Sequence, residues 1–279
     1  MVVLRQASPP FFEMTSFRHH LRVAKRIAGM SWRRALAYRM NFLLVLLVSL
    51  VWLSVQITAL LIILHFGEDH GLTGFSREEF FFVFLVSQAV FSFFYFFRAG
   101  LREGSLKIHR GELDFSLSRP LAPVFATFCQ KVDWTATLIF VGILILGWLA
   151  FSGGELEISF LQLGQISFVT ITSLLLALTL YLLAAILPLF LANAQFAKNF
   201  VNELFDASTR WPAEIFPQPL RGALTYLLPV LLVVQPTFEV LSGEFSWLSA
   251  GRILVILAVF FLLLCAMWKK GLARYTSSG

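Results

Sequence analysis

The sequence predicts an all-α integral membrane protein: six transmembrane helices, an N-terminal amphipathic interfacial helix, and a cytoplasmic helix between spans two and three. Three observations carry that prediction. The 279 residues are 58% hydrophobic and 14% charged, with a mean hydropathy of +0.79, whereas soluble domains are roughly 45–50% apolar and about 25% charged. Uncharged runs recur that are long enough, at about 1.5 Å per residue, to cross a hydrocarbon layer roughly 30 Å thick. Of the 22 Lys and Arg residues, all but Arg77 and Arg252 fall on the segments that six crossings would place on one side of the membrane. Basic residues are retained on the cytoplasmic face, so this asymmetry sets both termini there.

The elements follow in order. Residues 1–15 read as a disordered tail, with no apolar stretch of signal-peptide length before Pro9 and Pro10, so no cleaved leader is expected. Over residues 16–41, Phe17, Leu21, Ala24, Ala28, Ala35 and Leu36 recur at helical spacing with Arg or Lys between them, and Ser16 is a candidate cap. A basic amphipathic helix of this kind lies in the headgroup layer, where each cation contributes about 1 kcal/mol at an anionic surface. Because a span begins immediately afterwards, a nucleic-acid or calmodulin-like role is the lesser reading.

The transmembrane domain covers 42–268, with spans expected at 42–64, 80–97, 135–151, 163–191, 222–241 and 253–268, and a cytoplasmic tail at 269–279. Span two is Phe-rich and just long enough. Span three holds Gly142 and Gly147, small residues that let another helix approach. Between 192 and 221, Phe196, Phe200, Leu204 and Phe205 suggest a surface helix that ends in a turn-rich stretch. Pro229 and Pro236 interrupt span five, which ends at Glu239. Proline removes a backbone donor and clashes with the preceding turn, so that span is expected to be kinked or partly re-entrant. Arg252, Trp268, Lys269 and Lys270 mark the two interfaces of span six.

The loop at 98–134 holds the stretch on which the rest depends. Arg110 to Trp134 is too polar for lipid and too apolar for a free linker, because Leu113, Phe115, Leu117, Leu121, Val124, Phe125 and Phe128 all need cover. On residues alone, a helix lying on lipid and a docking element are about equally good readings.

Catalytic, cofactor-binding and metal residues are not expected. The chain has no GxxxxGK[ST] and no GxGxxG to cradle phosphate, and no HExxH or GxSxG. Cys129 and Cys265 are isolated thiols that read as small buried hydrophobes. His65 and His70 beside Glu68 and Asp69 are better read as a solvated loop than as a metal site. Apart from Glu239, the expected spans lack the ionisable interior groups that carry coupling charge in secondary transporters. An interfacial, helix-breaking role is the better reading for Glu239 itself.

The run Gly111-Glu112-Leu113-Asp114-Phe115-Ser116-Leu117-Ser118-Arg119-Pro120 is similar to a G-x-L-D-x-x-L-x-R-P element. Pro212 to Pro217 is similar to a P-x-x-I-F-P turn, and Leu228-Pro229 and Gln235-Pro236 follow as a proline pair. In this order the chain resembles, from about Phe17 to Lys270, the permease subunits of ABC-2-type ABC exporters. The resemblance implies a permease without an ATPase site of its own, which forms the translocation pathway. It also implies a dimer with a second copy or a paralogous permease, and a separate ABC ATPase subunit where ATP binds. The setting would be the lipid bilayer of the inner (plasma) membrane, with no nucleic-acid partner.

On this resemblance Gly111, Glu112, Leu113, Asp114, Leu117, Arg119 and Pro120 form the coupling helix. Leu113 and Leu117 would supply a contact face, and Glu112, Asp114 and Arg119 rim charges. Pro120 would end the helix, and Pro229, Pro236 and Glu239 would mark the break in span five. Two further readings compete: a secondary transporter using Glu239, and a membrane assembly protein with no transport cycle.

Overall fold

A computed structural model describes residues 17–70, 77–151, 159–191 and 216–275. Every regular element among the described residues is helical. The tail at 1–15 and most of the surface helix expected between 192 and 221 lie outside them.

Helix α1 (Phe17–Ala37) is followed after a turn at Tyr38 by α2 (Arg39–His70). Helix α3 (Arg77–His109) has 33 residues and is therefore about 50 Å long. It runs three turns past Phe97, where span two was expected to end. Residues 98–109 are rich in Arg, Leu, Glu and Lys and contain no proline, so the helix has no local reason to stop once its side chains reach water. It stops at Gly111, whose φ of +71° is the left-handed conformation a Cβ disfavours. The Glu112 N–H donates to the Lys107 carbonyl (2.9 Å) and the Gly111 N–H to Ile108 (3.1 Å), which together form a Schellman cap.

Two short helices follow, α4 (Asp114–Leu117) and α5 (Pro123–Phe128), and then α6 (Trp134–Phe151). Helix α7 (Phe160–Ile186) starts on a reciprocal cap between Ser159 and Gln162 and ends in a 3-10 turn at Leu187–Leu189, where Pro188 cannot continue the α-helical ladder. Helix α8 (Gln218–Gly222) passes into a π-turn at Ala223–Leu227. A 3-10 turn at Leu231–Val233, α9 (Gln235–Leu241) and α10 (Trp247–Arg274) complete the chain.

Among the described residues, four helical stretches are long and apolar enough to cross a membrane: Arg39–Ile62, Phe81–His109, Phe160–Leu189 and Trp247–Arg274, with Trp134–Gly147 a shorter apolar helix. The segment 222–241 is not among them. Its backbone breaks from Leu228 to Val230 and turns again at Val234, where α9 begins with Pro236 in its first turn. The kink expected there is thus a chain of short pieces. Those pieces bury Val230, Leu231, Leu232, Val233 and Val234, and the Ser173 hydroxyl donates to the Leu232 carbonyl at 3.4 Å.

Helix α3 is the centre of the bundle, packed against α5, α6 and α7, and α10 lies along α7. Phe94 stacks on Tyr181 with ring centroids 3.6 Å apart, and Val169, Leu176, Ile253 and Trp268 are fully enclosed. Helix α2 stands at the side. Only 6% of its most apolar window is buried, and its contacts with the bundle include a hydrogen bond from Gln88 to Gln56 at 2.8 Å.

Candidate functional site

The site is built where α3 leaves the apolar layer. Gly100 and Gly104 face α5 so closely that a Cβ on Gly100 would overlap the carbonyl oxygens of Phe128 and Lys131, and one on Gly104 would lie 2.5 Å from the Phe128 ring. The missing side chains therefore let α5 lie directly on α3. On its other side the Phe128 ring meets Trp268 of α10 at 5.9 Å.

From this base the chain between α3 and α6 is held at several points. The Tyr275 hydroxyl, just past α10, accepts from the Leu113 N–H at 2.9 Å and donates to the Gly111 carbonyl. Burial, ahead of any neighbouring charge, raises the pKa of that phenol, so it stays the donor at neutral pH. The N–H of Ala122 donates to His20 Nε2 at 3.0 Å, and His20 meets Phe125 edge to face at 5.2 Å. The indole N–H of Trp134 donates to the Ala28 carbonyl at 3.0 Å, and Ser31 Oγ accepts from Val132 at 3.5 Å. Inside the loop, Lys107 donates to Gln130, which in turn donates to the Ala126 carbonyl.

Helix α1 thus lays one stripe, His20, Ala28 and Ser31, on the loop, while Leu21 and Leu36 remain exposed. The face expected from periodicity mixed residues from both sides. Cys129, at the end of α5, is partly buried, and the desolvation of its thiol pushes its pKa up to about 11.

The residues predicted for coupling separate into two sets. Leu113 is fully enclosed and Leu117 half-buried, packed against the core. Gly111 is the turn, while Glu112, Asp114, Arg119 and Pro120 are exposed. Between them stands Phe115, 79% exposed on the one-turn helix α4. A side-chain spacing of four placed Leu113 and Leu117 on one outer face. The left-handed turn at Gly111 instead sends Leu113 inward as an anchor and leaves Phe115 outermost. The signal in the sequence was the shortness of α4, which lies between Gly111 and Pro120 and is too short to have a regular face.

The second group of predicted residues lies near the start of α10. Pro229 and Pro236 are buried, and Glu239 Oε1 pairs with an Arg252 Nη at 3.0 Å. Both line a cavity of about 290 Å³ with Gln218, Arg221, Thr225 and Gln235. Arg221 and Arg252 therefore share one end of the bundle, whereas the charge count from sequence put them on opposite sides. Leu189 packs on Gly271 near the last turn of α10, while Gln218 and Arg221 face Arg252 near its beginning. The two ends of α10 are about 40 Å apart at 1.5 Å per residue. The breaks at Leu228–Val230 and Val234 are what allow both α8 and α9 to reach this one cavity.

Comparison with known proteins gives one finding. A family model described as ABC-2 family transporter protein matches residues 50–279. No curated protein and no solved structure matches the chain.

Proposed function

The chain belongs to the ABC-2 transporter family, and from that premise we propose that it is the permease subunit of an ABC exporter, driven through the Gly111–Pro120 element by a separate ATPase. It is a multi-pass membrane permease of the ABC transporter type. In the proposed arrangement both termini and α4 face the cytoplasm of the inner membrane, and two permease copies, identical or paralogous, sit on the ATPase that binds ATP. Of the six crossings proposed, α2, α3, α6, α7 and α10 are five. The short pieces of 218–241 gather near the start of α10, where Gln218, Arg221, Gln235 and Glu239 line one cavity with Arg252.

The observation that carries this reading is Phe115, exposed on a helix whose every neighbour is tied down. An aromatic ring left in water on a clamped element, flanked by Asp114 and Arg119, has the composition of a hot spot with a polar rim. Its support is tied to three other helices. A push on α4 reaches α3 through the Gly111 turn, α10 through Tyr275, and α1 through His20. ATP binding on the partner would bias the permease only in so far as the partner fits one of its two states better, and a clamped docking element transmits that difference.

The test is Phe115→Ala and Asp114→Lys in the permease reconstituted with its ATPase. Expected are a loss of roughly 10- to 100-fold in ATPase affinity for Phe115→Ala, as for interface anchors worth about 1.4–2.8 kcal/mol, and uncoupled hydrolysis for Asp114→Lys, both with unchanged membrane insertion. Normal stimulation by both variants would remove α4 from the docking surface. Glu239→Gln separates the competing class: it abolishes transport in a secondary transporter and leaves ATP-driven transport in place here.

A further inference from the structure

A second cavity, of about 450 Å³, lies between α2 and the bundle, walled by residues of α2 from Val45 to Gln56, of α3 from Gln88 to Tyr95, and of the start of α6 from Asp133 to Ile139. We propose that it binds an uncharged amphipathic molecule whose apolar body lies along α2 and whose amide group pairs with Gln56 and Gln88.

The two glutamines come first. Gln88 Nε2 donates to Gln56 Oε1 at 2.8 Å, and neither side chain makes another hydrogen bond among the described residues. A primary amide carries two N–H donors and one carbonyl acceptor, so this single bond leaves the Gln56 NH2 group and the Gln88 carbonyl unused. Both residues line the cavity. Turning both amides over exchanges their roles and leaves the same free donor beside the same free acceptor.

Depth makes those unused groups costly. Gln56 is six residues before Ile62 and Gln88 seven residues after Phe81, the ends of their apolar stretches, so the pair sits about 10 Å inside the apolar layer. Bulk water does not complete hydrogen bonds there, and an amide without partners is penalised. A donor beside an acceptor is the pattern a carboxamide complements with two bonds, its N–H on Gln88 Oε1 and its carbonyl on Gln56 Nε2.

The remaining wall selects the body of the ligand. Val48, Val51, Leu53, Phe91, Ala136 and Ile139 are apolar, and Val45 to Gln56 is about 16 Å of helix. The volume is in the range of small-molecule sites. Charge at the loop end has no net sign. Asp133 Oδ1 accepts from the Thr135 N–H at 3.0 Å and so caps α6, while the Arg98 guanidinium lies 4.7 Å from the ring of Tyr95, another wall residue. An ionic headgroup therefore gains nothing over a neutral one. A bilayer acyl chain would fill the apolar wall but leave both amides unmet.

The experiment uses the full chain in phosphatidylcholine nanodiscs without any ATPase, so its failure and the failure of the coupling proposal are separate results. Trp52 lines the cavity, and quenching of its fluorescence by a bromine-tagged probe reports entry, with Trp52→Phe giving the background from the other indoles. Expected is saturable quenching by 11-bromoundecanamide, an apparent Kd at least tenfold weaker for its N,N-dimethyl amide, which has no N–H, and only a linear rise with 1-bromoundecane. The paired variant Gln56→Met/Gln88→Met replaces both amides by apolar chains of similar length and is expected to weaken the amide probe at least tenfold. Ser49→Phe fills the cavity from α2 without touching the glutamines and is expected to abolish saturable quenching. Saturation by 1-bromoundecane as tight as by the amide would make this a groove for lipid chains and overturn the proposal. So would the absence of saturable quenching, as when a second copy of the chain covers the wall, or quenching unchanged in both the paired variant and Ser49→Phe.

Discussion

At the residue scale, the chemistry of the loop separates anchors from contacts. Leu113 is enclosed, so Leu113→Ala is expected to cost about 2–5 kcal/mol through lost burial and the cavity it leaves, which makes it a test of stability. Phe115 has nothing to lose on the folded chain and is the place to test docking. Cys129 offers a third measurement. Its thiol, pushed up from 9.0 to about 11 by burial, holds about a hundredth of the thiolate of an ordinary cysteine at pH 8. With Cys265→Ser as background, alkylation by iodoacetamide is expected to be slow at pH 8 and to rise steeply only as pH approaches 11. Because the folded pKa is the higher one, the stability this neutral thiol contributes is complete below pH 9 and is lost as pH climbs through 11. Fast labelling of the folded protein at pH 8 would show that the loop opens.

At the element scale, the contact of α5 with α3 rests on two absent side chains. Gly100→Ala forces a Cβ into backbone carbonyls that cannot swing aside as a side-chain tip would. The expected outcome is displacement of α5, a lower melting temperature in detergent, and weaker ATPase stimulation with span insertion intact. Unchanged melting would mean that α3 and α5 already stand apart. Helix α10 is the other element of consequence. Arg252 in its second turn faces the far cavity and Tyr275 just beyond its end holds the Gly111 turn, so one helix touches both ends of the bundle about 35 Å apart.

At the scale of the whole molecule, sidedness is the quantity to measure. In a cysteine-free background, Phe115→Cys is expected to react with an impermeant maleimide from the cytoplasmic face alone. Arg221→Cys and Trp247→Cys are expected to react from the opposite face. Arg221→Cys labelled together with Phe115→Cys would restore a straight crossing at 222–241 and remove the shared cavity. The structure favours the first pattern, since Arg221 and Arg252 cannot line one cavity from opposite membrane faces.

Much of the helical frame is legible in the residues. Uncharged runs mark the stretches that become α2, α3, α6, α7 and α10, because a backbone in hydrocarbon can satisfy its own polar groups as a helix. The stretch from Arg110 to Trp134 is legible too, as an apolar and Pro-broken island. Hydropathy could not show that 222–241 folds back, because a buried chain of short pieces is as apolar as a straight span and differs only in where its broken hydrogen bonds find partners. It could not tell Leu113 from Phe115, since both are apolar and a single left-handed turn at Gly111 decides which points inward. Composition and charge order determined that the chain is a helical membrane protein. Which residues the loop buries and which it offers was decided by tertiary contacts from Tyr275, His20 and Ala28, partners 100 or more residues away in sequence.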